Sequence, residues 1–290
     1  MSSEPVVKTL QSSDGTPIHA EFMGDVQKPC LVFVHGLNMS SVAFDGMFRD
    51  SSLLREVCMA RYDLRGHGRS GKPEDPEAYK SSLYADDFVT LMREFGYTKP
   101  ILVAWSYGGT ISCDIYASLS ADTLAGVVYL CAVPYIAPPM FPDSITPPTV
   151  ALIQSQMAGT DVASYLRDKT AFIDAIWQDI DNVDYRLRLT WLAPGFVQTP
   201  QVMRNVVTRP QDPTKLLEAV GNGVPVLMLY GDADKMVSGA FVAEKMQPCC
   251  TNAEVHVVKG GGHAPFFEHQ EEVVRELLKF VDRIKTSGKP

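Results

Sequence analysis

A serine stands where a strand is predicted to turn into a helix, in the pentapeptide Ala-Trp-Ser-Tyr-Gly at residues 104–108. The apolar run at residues 100–103 directly precedes it. A serine on so sharp a turn has a strained backbone, and it needs small residues two positions before and after it, because larger side chains would collide. Ala104 and Gly108 meet that requirement, so Ser106 is a candidate nucleophile.

A carboxylate and a histidine follow the serine, each just past a predicted strand. The first lies in Tyr-Gly-Asp-Ala-Asp at residues 230–234, and the second in Gly-Gly-Gly-His-Ala-Pro at residues 260–265. Histidine side chains ordinarily titrate near ~6.5, so a neutral imidazole can take a serine proton at physiological pH. A carboxylate holds that imidazole in the required tautomer. His263 is the candidate base and Asp234 the candidate acid, with Asp232 as the alternative acid.

The order Ser…Asp…His, with each residue just past a strand, resembles that of the α/β-hydrolase fold. Asp234 matches the family pattern Gly-x-x-Asp, and the turn Tyr-Asp-Leu-Arg-Gly-His-Gly-Arg-Ser at residues 62–70 is also similar to the family. The resemblance covers both ends of the chain but not the middle segment. More narrowly, the chain is similar to serine-nucleophile esterases and lactonases, in particular to the non-haem haloperoxidase and arylesterase-like members.

That resemblance implies a set of residues around the serine. The backbone N–H groups of Leu37 and Tyr107 are expected to donate to the oxyanion formed during acyl transfer. His35, just before that loop, is expected to be structural, and Trp105 to pack in the core. Asn38, next in the loop after Leu37, is expected to line the substrate pocket. Independently of the resemblance, the aromatic residues Phe141, Trp177 and Trp191 of the middle segment are expected to cover the substrate, with burial in that segment's own core as the alternative.

Short apolar runs alternate with helical patterns along most of the chain, which predicts a doubly wound, mostly parallel α/β sheet. An N-terminal hairpin is predicted at residues 6–10 and 18–23. Helical spacing of apolar residues predicts helices at 84–95 and 271–284. The predicted buried strands cover residues 31–34, 58–62, 101–104, 127–131, 226–230 and 255–258.

The segment at residues 134–213 contains no strand-like run, and its prolines cluster near its start. Helices are predicted within it at residues 162–172 and 173–180. A helical insertion between two sheet strands predicts a cap over one edge of the sheet. The predicted domain organisation is therefore a core at residues 1–133 and 214–290 with a cap at residues 134–213.

Charge and composition bound the function. The chain of 290 residues carries a net charge of −8 without a basic stripe, which argues against a nucleic-acid partner. We see no secretory signal and no apolar segment long enough to cross a bilayer, so we expect a cytoplasmic protein with a small-molecule substrate. The six cysteines show neither disulfide nor zinc spacing, and we expect small core side chains, with a redox role for Cys249 and Cys250 as the alternative.

These observations favour a serine hydrolase that cleaves a carboxylic ester or lactone of a small to medium, largely apolar substrate through an acyl-enzyme on Ser106. No cofactor or metal is expected. Serine at position 106 disfavours the haloalkane dehalogenases and epoxide hydrolases of the family, which use aspartate as nucleophile. A carbon–carbon bond hydrolase or an acyltransferase with the same three residues remains an alternative, as does a receptor-like ligand-binding protein of this fold.

Overall fold

The computed structural model describes residues 4–287 and is built around one sheet of eight strands. Each predicted strand is present. The strands are β1 (Val6–Gln11), β2 (Pro17–Met23), β3 (Cys30–Val34), β4 (Cys58–Tyr62), β5 (Ile101–Trp105), β6 (Gly126–Leu130), β7 (Val226–Gly231) and β8 (Ala253–Val258).

The strand order is β1-β2-β4-β3-β5-β6-β7-β8, and it confirms the predicted mostly parallel α/β sheet. β1 pairs antiparallel with β2, and β2 antiparallel with β4, so the N-terminal hairpin forms one edge. All other pairs are parallel. Every residue of β3, β4, β5 and β6 is buried, and apart from Arg61 in β4 these strands are apolar on both faces, as expected for strands covered on both sides.

Helices flank the sheet and account for the crossovers between parallel strands. The predicted helices at residues 84–95 and 271–284 are both present in the structure. The helices are α1 (Asp45–Phe48), α2 (Ser51–Glu56), α3 (Ser81–Phe95), α4 (Ile111–Ser118), α5 (Pro147–Ala158), α6 (Val162–Asp174), α7 (Tyr185–Phe196), α8 (Pro200–Thr208), α9 (Thr214–Gly221), α10 (Gly239–Met246), α11 (Pro265–Glu268) and α12 (Gln270–Ser287).

The segment between β6 and β7 is helical and contains α5 to α9; we call residues 134–213 within it the insertion. The predicted helix at 162–172 corresponds to α6, but the helix predicted at 173–180 is wrong. α6 ends at Asp174, and the carbonyl of Ile176 instead accepts a hydrogen bond of 2.9 Å from the backbone N–H of His263. A tertiary contact therefore takes the place of the next helical turn.

All six cysteines are free thiols, and four of them (Cys30, Cys58, Cys113 and Cys131) are buried. These four behave as the small core side chains that the sequence predicts, whereas Cys249 and Cys250 are half-buried. Among the described residues, no helix combines the length and the apolar character that a membrane span requires.

Candidate active site

Ser106 lies at the turn between β5 and a short 3-10 helix (Ser106–Thr110), with a φ of +55°. This left-handed conformation is uncommon for a residue with a side chain and costs backbone strain. The glycine two positions later is required by close packing, since a Cβ on Gly108 would lie 2.5 Å from the carbonyl oxygen of Val34. The turn therefore fits tightly against the end of β3 and projects the serine hydroxyl.

The structure brings Ser106, His263 and Asp234 together in one chain of hydrogen bonds, which we call the relay. The Ser106 Oγ lies 2.8 Å from His263 Nε2, and His263 Nδ1 lies 2.7 Å from Asp234 Oδ2. The side chains of His263 and Asp234 are each 2% exposed. A proton on Nδ1 directed at the carboxylate leaves Nε2 free to accept the serine proton, which is the arrangement that general-base activation requires.

The carboxylate and the imidazole are themselves held in place. Asp234 Oδ1 accepts hydrogen bonds of 2.7 Å from the N–H of Met236 and 3.1 Å from the N–H of Val237. The carbonyl of His263 accepts a hydrogen bond of 2.7 Å from the indole N–H of Trp105, which is buried as expected. The Asp234 side chain and the backbone of His263 are therefore each fixed by contacts outside the three residues.

The alternative acid, Asp232, points away from the imidazole. Its side chain is exposed, and its Oδ1 accepts a hydrogen bond of 2.6 Å from the N–H of Gly260. This contact ties the end of β7 to the glycine-rich loop before His263. The sequence left open which of the two aspartates contacts His263, and the structure places Asp234 there.

The loop after β3 passes directly over the serine. A Cβ on Gly36 would lie 3.0 Å from the Cβ of Ser106, so the loop approaches as closely as glycine allows. His35 anchors it, because its Nδ1 donates to Gly36 O at 2.8 Å and its Nε2 accepts from the N–H of Leu64 at 3.0 Å. Burial lowers the pKa of His35, which keeps this structural imidazole neutral.

Leu37 and Tyr107 line the same cavity as Ser106 and His263, on the two segments that meet at the serine. The Tyr107 hydroxyl is committed elsewhere, since it donates to Val206 O at 3.0 Å and accepts from Arg209 Nε at 2.8 Å. Its aromatic ring and backbone, rather than its hydroxyl, are therefore what Tyr107 presents to the cavity.

The cavity beside Ser106 is mainly apolar. Within the described part of the chain, its lining contains no Asp, Glu, Lys or Arg, and its polar side chains besides the relay are two threonines and Tyr107. The insertion and the loop after β7 supply most of the apolar wall, through Phe141, Ile145, Ile153, Phe172, Met236 and Val237.

Of the four side chains predicted to line the pocket, the structure places only Phe141 there. Asn38, in the loop after β3, is fully buried, and its side-chain amide donates a hydrogen bond of 2.9 Å to Gln156 Oε1. Trp177 and Trp191 stack on each other with ring centroids 5.0 Å apart and are each 1% exposed. The pocket prediction for these three residues is corrected: they pack between the insertion and the core.

The aliphatic residues of the cavity wall, such as Ile153 and Val237, were not predicted from the sequence. α5 has no distinct apolar face, and its buried positions include Thr149 and Gln156 beside Ile153. Helical periodicity therefore cannot show which of its side chains meet a cavity. Val237 lies in the loop after β7, three residues beyond Asp234, and this proximity is the signal that could have found it.

One further cluster was not anticipated. A thiol, a carboxylate oxygen and a ring nitrogen, from Cys131, Asp234 and His263, lie within 4.8 Å of one another and could hold a metal ion. Asp234 and His263 already bind each other, and burial raises the pKa of the Cys131 thiol, which disfavours the thiolate that a metal needs. Metal binding would therefore compete with the hydrogen-bonded relay.

Comparison with known proteins gives a consistent result. Residues 31–276 match the model of a family described as the alpha/beta hydrolase family. Epoxide hydrolase 3 of Xenopus tropicalis is 25% identical over 289 residues, which cover 91% of this chain and 75% of that protein. The non-heme haloperoxidase of Rhodococcus erythropolis is 24% identical over 281 residues, covering 94% and 98%.

Solved structures show the same likeness across nearly the whole chain. The esterase RhEst1 from Rhodococcus sp. ECU1013 superposes with a TM-score of 0.84 at 25% identity, covering 96% of this chain and 99% of the esterase. Its match includes both the sheet and the segment between β6 and β7, because so little of either chain is left out.

Proposed function

Since the chain belongs to the alpha/beta hydrolase family and is a hydrolase, we propose that it cleaves carboxylic esters or lactones of small to medium, apolar substrates through an acyl-enzyme on Ser106. The observation that carries this proposal is the buried relay Ser106–His263–Asp234, with its hydrogen bonds of 2.8 Å and 2.7 Å, at the wall of an apolar cavity.

In the first half of the proposed reaction, Ser106 Oγ attacks the carbonyl carbon while its proton passes to His263 Nε2. The carbonyl oxygen becomes an oxyanion, which the backbone N–H groups of Leu37 and Tyr107 stabilise. When the tetrahedral intermediate collapses, the bond to the leaving oxygen breaks, and His263 donates its proton to that oxygen. The products are an alcohol and an ester of Ser106.

Water completes the cycle by the same route. His263 Nε2 takes one proton from the water as its oxygen attacks the acyl carbon, and the second tetrahedral intermediate then expels Ser106 Oγ. The proton returns from His263 to the serine, and the carboxylic acid leaves. Asp234 remains ionised throughout and stabilises the imidazolium that forms in each half-reaction.

The cavity lining supports an uncharged acyl or alkoxy group. A charged substituent would lose its hydration there without gaining a partner, which is costly, because the described lining offers no oppositely charged side chain besides the relay histidine. In this proposal, residues 134–213 act as a cap whose side chains Ile153 and Phe172 close the cavity over Ser106.

A chain-length series of p-nitrophenyl esters with a set of lactones tests the proposal on wild type, Ser106→Ala and Ser41→Ala. We expect Ser106→Ala to lose several orders of magnitude in kcat/KM and to remain folded by circular dichroism. Ser41→Ala is the matched control, since this serine is buried and its hydroxyl has no hydrogen-bond partner among the described residues. Turnover by Ser106→Ala at the wild-type rate would disprove the assignment.

A further inference from the structure

Outside the relay, α6 carries a buried lysine, Lys169, that is 1% exposed. Its ammonium group donates hydrogen bonds to the side-chain carbonyl of Asn38 and to Gln198 Oε1, the latter at 3.2 Å. It also lies 5.2 Å from the ring centroid of Tyr165, within range of a cation–π contact. Both hydrogen-bond acceptors are neutral amides.

No carboxylate within residues 4–287 forms an ion pair with this ammonium. The adjacent Asp168 is turned to other partners, with Oδ2 accepting from Ser155 Oγ and Oδ1 from Arg167 Nε. A buried cation without a counter-ion is expensive, and burial accordingly lowers the pKa of Lys169 to about 7. Because the buried ammonium of Lys169 costs stability, we look to a functional role to explain its position.

The residue that Lys169 holds occupies a special place. Asn38 directly follows Leu37 in the loop over Ser106, has a φ of +62°, and is completely buried. The side-chain oxygen of Asn38, Oδ1, accepts a hydrogen bond from Lys169 Nζ. The side-chain nitrogen, Nδ2, donates a hydrogen bond of 2.9 Å to Gln156 Oε1. Two helices of the insertion, α5 through Gln156 and α6 through Lys169, thus grip one side chain from its two ends.

The insertion also packs against the backbone of this residue. A Cβ on Gly195 of α7 would lie 3.3 Å from the backbone carbonyl oxygen of Asn38 and 3.6 Å from Cδ of Lys169. Asn38 therefore has little room to shift, and the direction of the peptide groups around it depends on the insertion.

We propose that Lys169 is a positioning residue of the active site, which acts through Asn38 to aim the N–H of Leu37 at the oxyanion. The inference rests on the proposed function, since it concerns the oxyanion of that reaction. Backbone donors stabilise an oxyanion only where they are already aimed at it. Loss of the grip on Asn38 should thus weaken binding of the transition state more than binding of the substrate.

The experiment compares Lys169→Met with Lys72→Met, kinetically and by thermal unfolding. Lys72 is half-buried and also binds carbonyl groups, those of Gly68 and Ser70, but it does not contact Asn38. For Lys169→Met we expect kcat to fall on the order of 10², with KM changed by less than about threefold. The affinity for a trifluoromethyl ketone, which forms a tetrahedral adduct with the serine, should fall in parallel with kcat/KM, and Lys72→Met should match wild type.

A double-mutant cycle with Asn38→Ala identifies the route. If Lys169 acts through Asn38, Lys169→Met has little further effect on kcat in the Asn38→Ala background. Additive effects, an unchanged kcat in Lys169→Met, or a rise in KM alone would each overturn the inference. Should Lys169→Met fail to fold, Lys169→Leu, which likewise lacks an N–H donor, takes its place in the cycle.

The two proposals fail in different ways. Turnover that persists in Ser106→Ala removes the proposed function and this inference with it. Turnover that depends on Ser106 but is unaffected by Lys169→Met removes only the positioning role.

Discussion

The two aspartates after β7 differ in what their oxygens contact. Asp234 places one oxygen on His263 and the other on two backbone N–H groups, whereas Asp232 reaches Gly260. Both are two residues apart in the same loop, so their roles follow from side-chain direction. The structure thus assigns the relay contact to Asp234.

We predict that Asp234→Asn lowers kcat on the order of 10⁴, since an amide stabilises neither the required tautomer nor the imidazolium. Asp232→Asn is the matched control and should change kcat by less than about tenfold, because its contact is with a loop N–H. Steady-state kinetics on one p-nitrophenyl ester measures both. The reverse ranking would exchange the roles of the two carboxylates.

The stability of the folded protein is expected to depend on pH through Lys169. Burial lowers the pKa of Lys169 from 10.5 to about 7 in the folded protein. Between these values the unfolded chain binds the extra proton, so this group makes the unfolding free energy rise with pH. The penalty is complete below pH 7 and is relieved as pH approaches 10.

Urea unfolding of wild type and Lys169→Met at a series of pH values checks this. We expect wild type to gain stability relative to Lys169→Met from pH 7 to pH 10, since titrations shared by both proteins cancel in the difference. Parallel stability profiles for the two proteins would show that the lysine is not desolvated.

Sequence reasoning reached the relay residues because the carboxyl ends of parallel strands meet at one edge of a sheet. Ser106 and Asp234 each follow a strand by a few residues, which leaves little freedom in where they lie. The pocket residues depend on side-chain direction across helix contacts, which spacing does not encode. Trp177 was assigned to the pocket by residue type, yet stacking on Trp191 buries it elsewhere.

The turn between β5 and α4 is tightly constrained by its neighbours. Its fit against the end of β3 requires a residue without a side chain at position 108, where a Cβ would overlap two carbonyl oxygens, of Val34 at 2.5 Å and His35 at 2.7 Å. Backbone atoms cannot yield as the end of a flexible side chain could. The strand β3 would have to move, and the loop over Ser106 with it.

We therefore predict that Gly108→Ala both destabilises the protein, by about 1–3 kcal/mol as overpacking does, and sharply reduces activity. Gly221→Ala at the end of α9 is the control, because a Cβ there meets only Cys249 O at 3.5 Å, an ordinary contact. Chemical denaturation and ester turnover measure the two effects. Wild-type activity in Gly108→Ala would mean that the turn tolerates a shift of β3.

Elements of the sheet were predicted well, and those of the insertion poorly, for a physical reason. Strands buried on both faces are continuous apolar runs, such as β5, and few other structures have that pattern. Helices of the insertion pack on several sides, so α7 has no clear apolar stripe and even contains Pro194. The end of α6 is set by the contact between Ile176 and His263, which lies far away in sequence.

At the scale of the whole molecule, Arg209 joins the insertion to the core. Its guanidinium binds both oxygens of Asp114 in α4, each at 2.7 Å, and its Nε reaches the hydroxyl of Tyr107. Both charged side chains are at most 1% exposed. Breaking such a buried pair leaves the carboxylate with the neutral donors Ser81 and Gln211 but without its cationic partner.

Arg209→Met is accordingly predicted to cost about 3–5 kcal/mol of unfolding free energy. Arg188→Met is a closely matched control: the Arg188 guanidinium also binds a carboxylate, that of Asp174, in two contacts of 2.7 Å, but this pair is partly exposed. Its loss should cost about 1 kcal/mol or less. Equal losses in urea unfolding would contradict the distinction between the two pairs.

The contacts of Lys169 and Arg209 bear on how proteins of this architecture could be recombined. The insertion supplies the wall of the cavity, and it also holds Asn38 on one side of Ser106 and Tyr107 on the other. A chimera in which this segment came from a relative would also replace the hydrogen bonds that hold Asn38 and Tyr107. We therefore expect such an exchange to change substrate preference and turnover rate together, and expect a graft chosen for its pocket alone to need residues equivalent to Lys169 and Arg209.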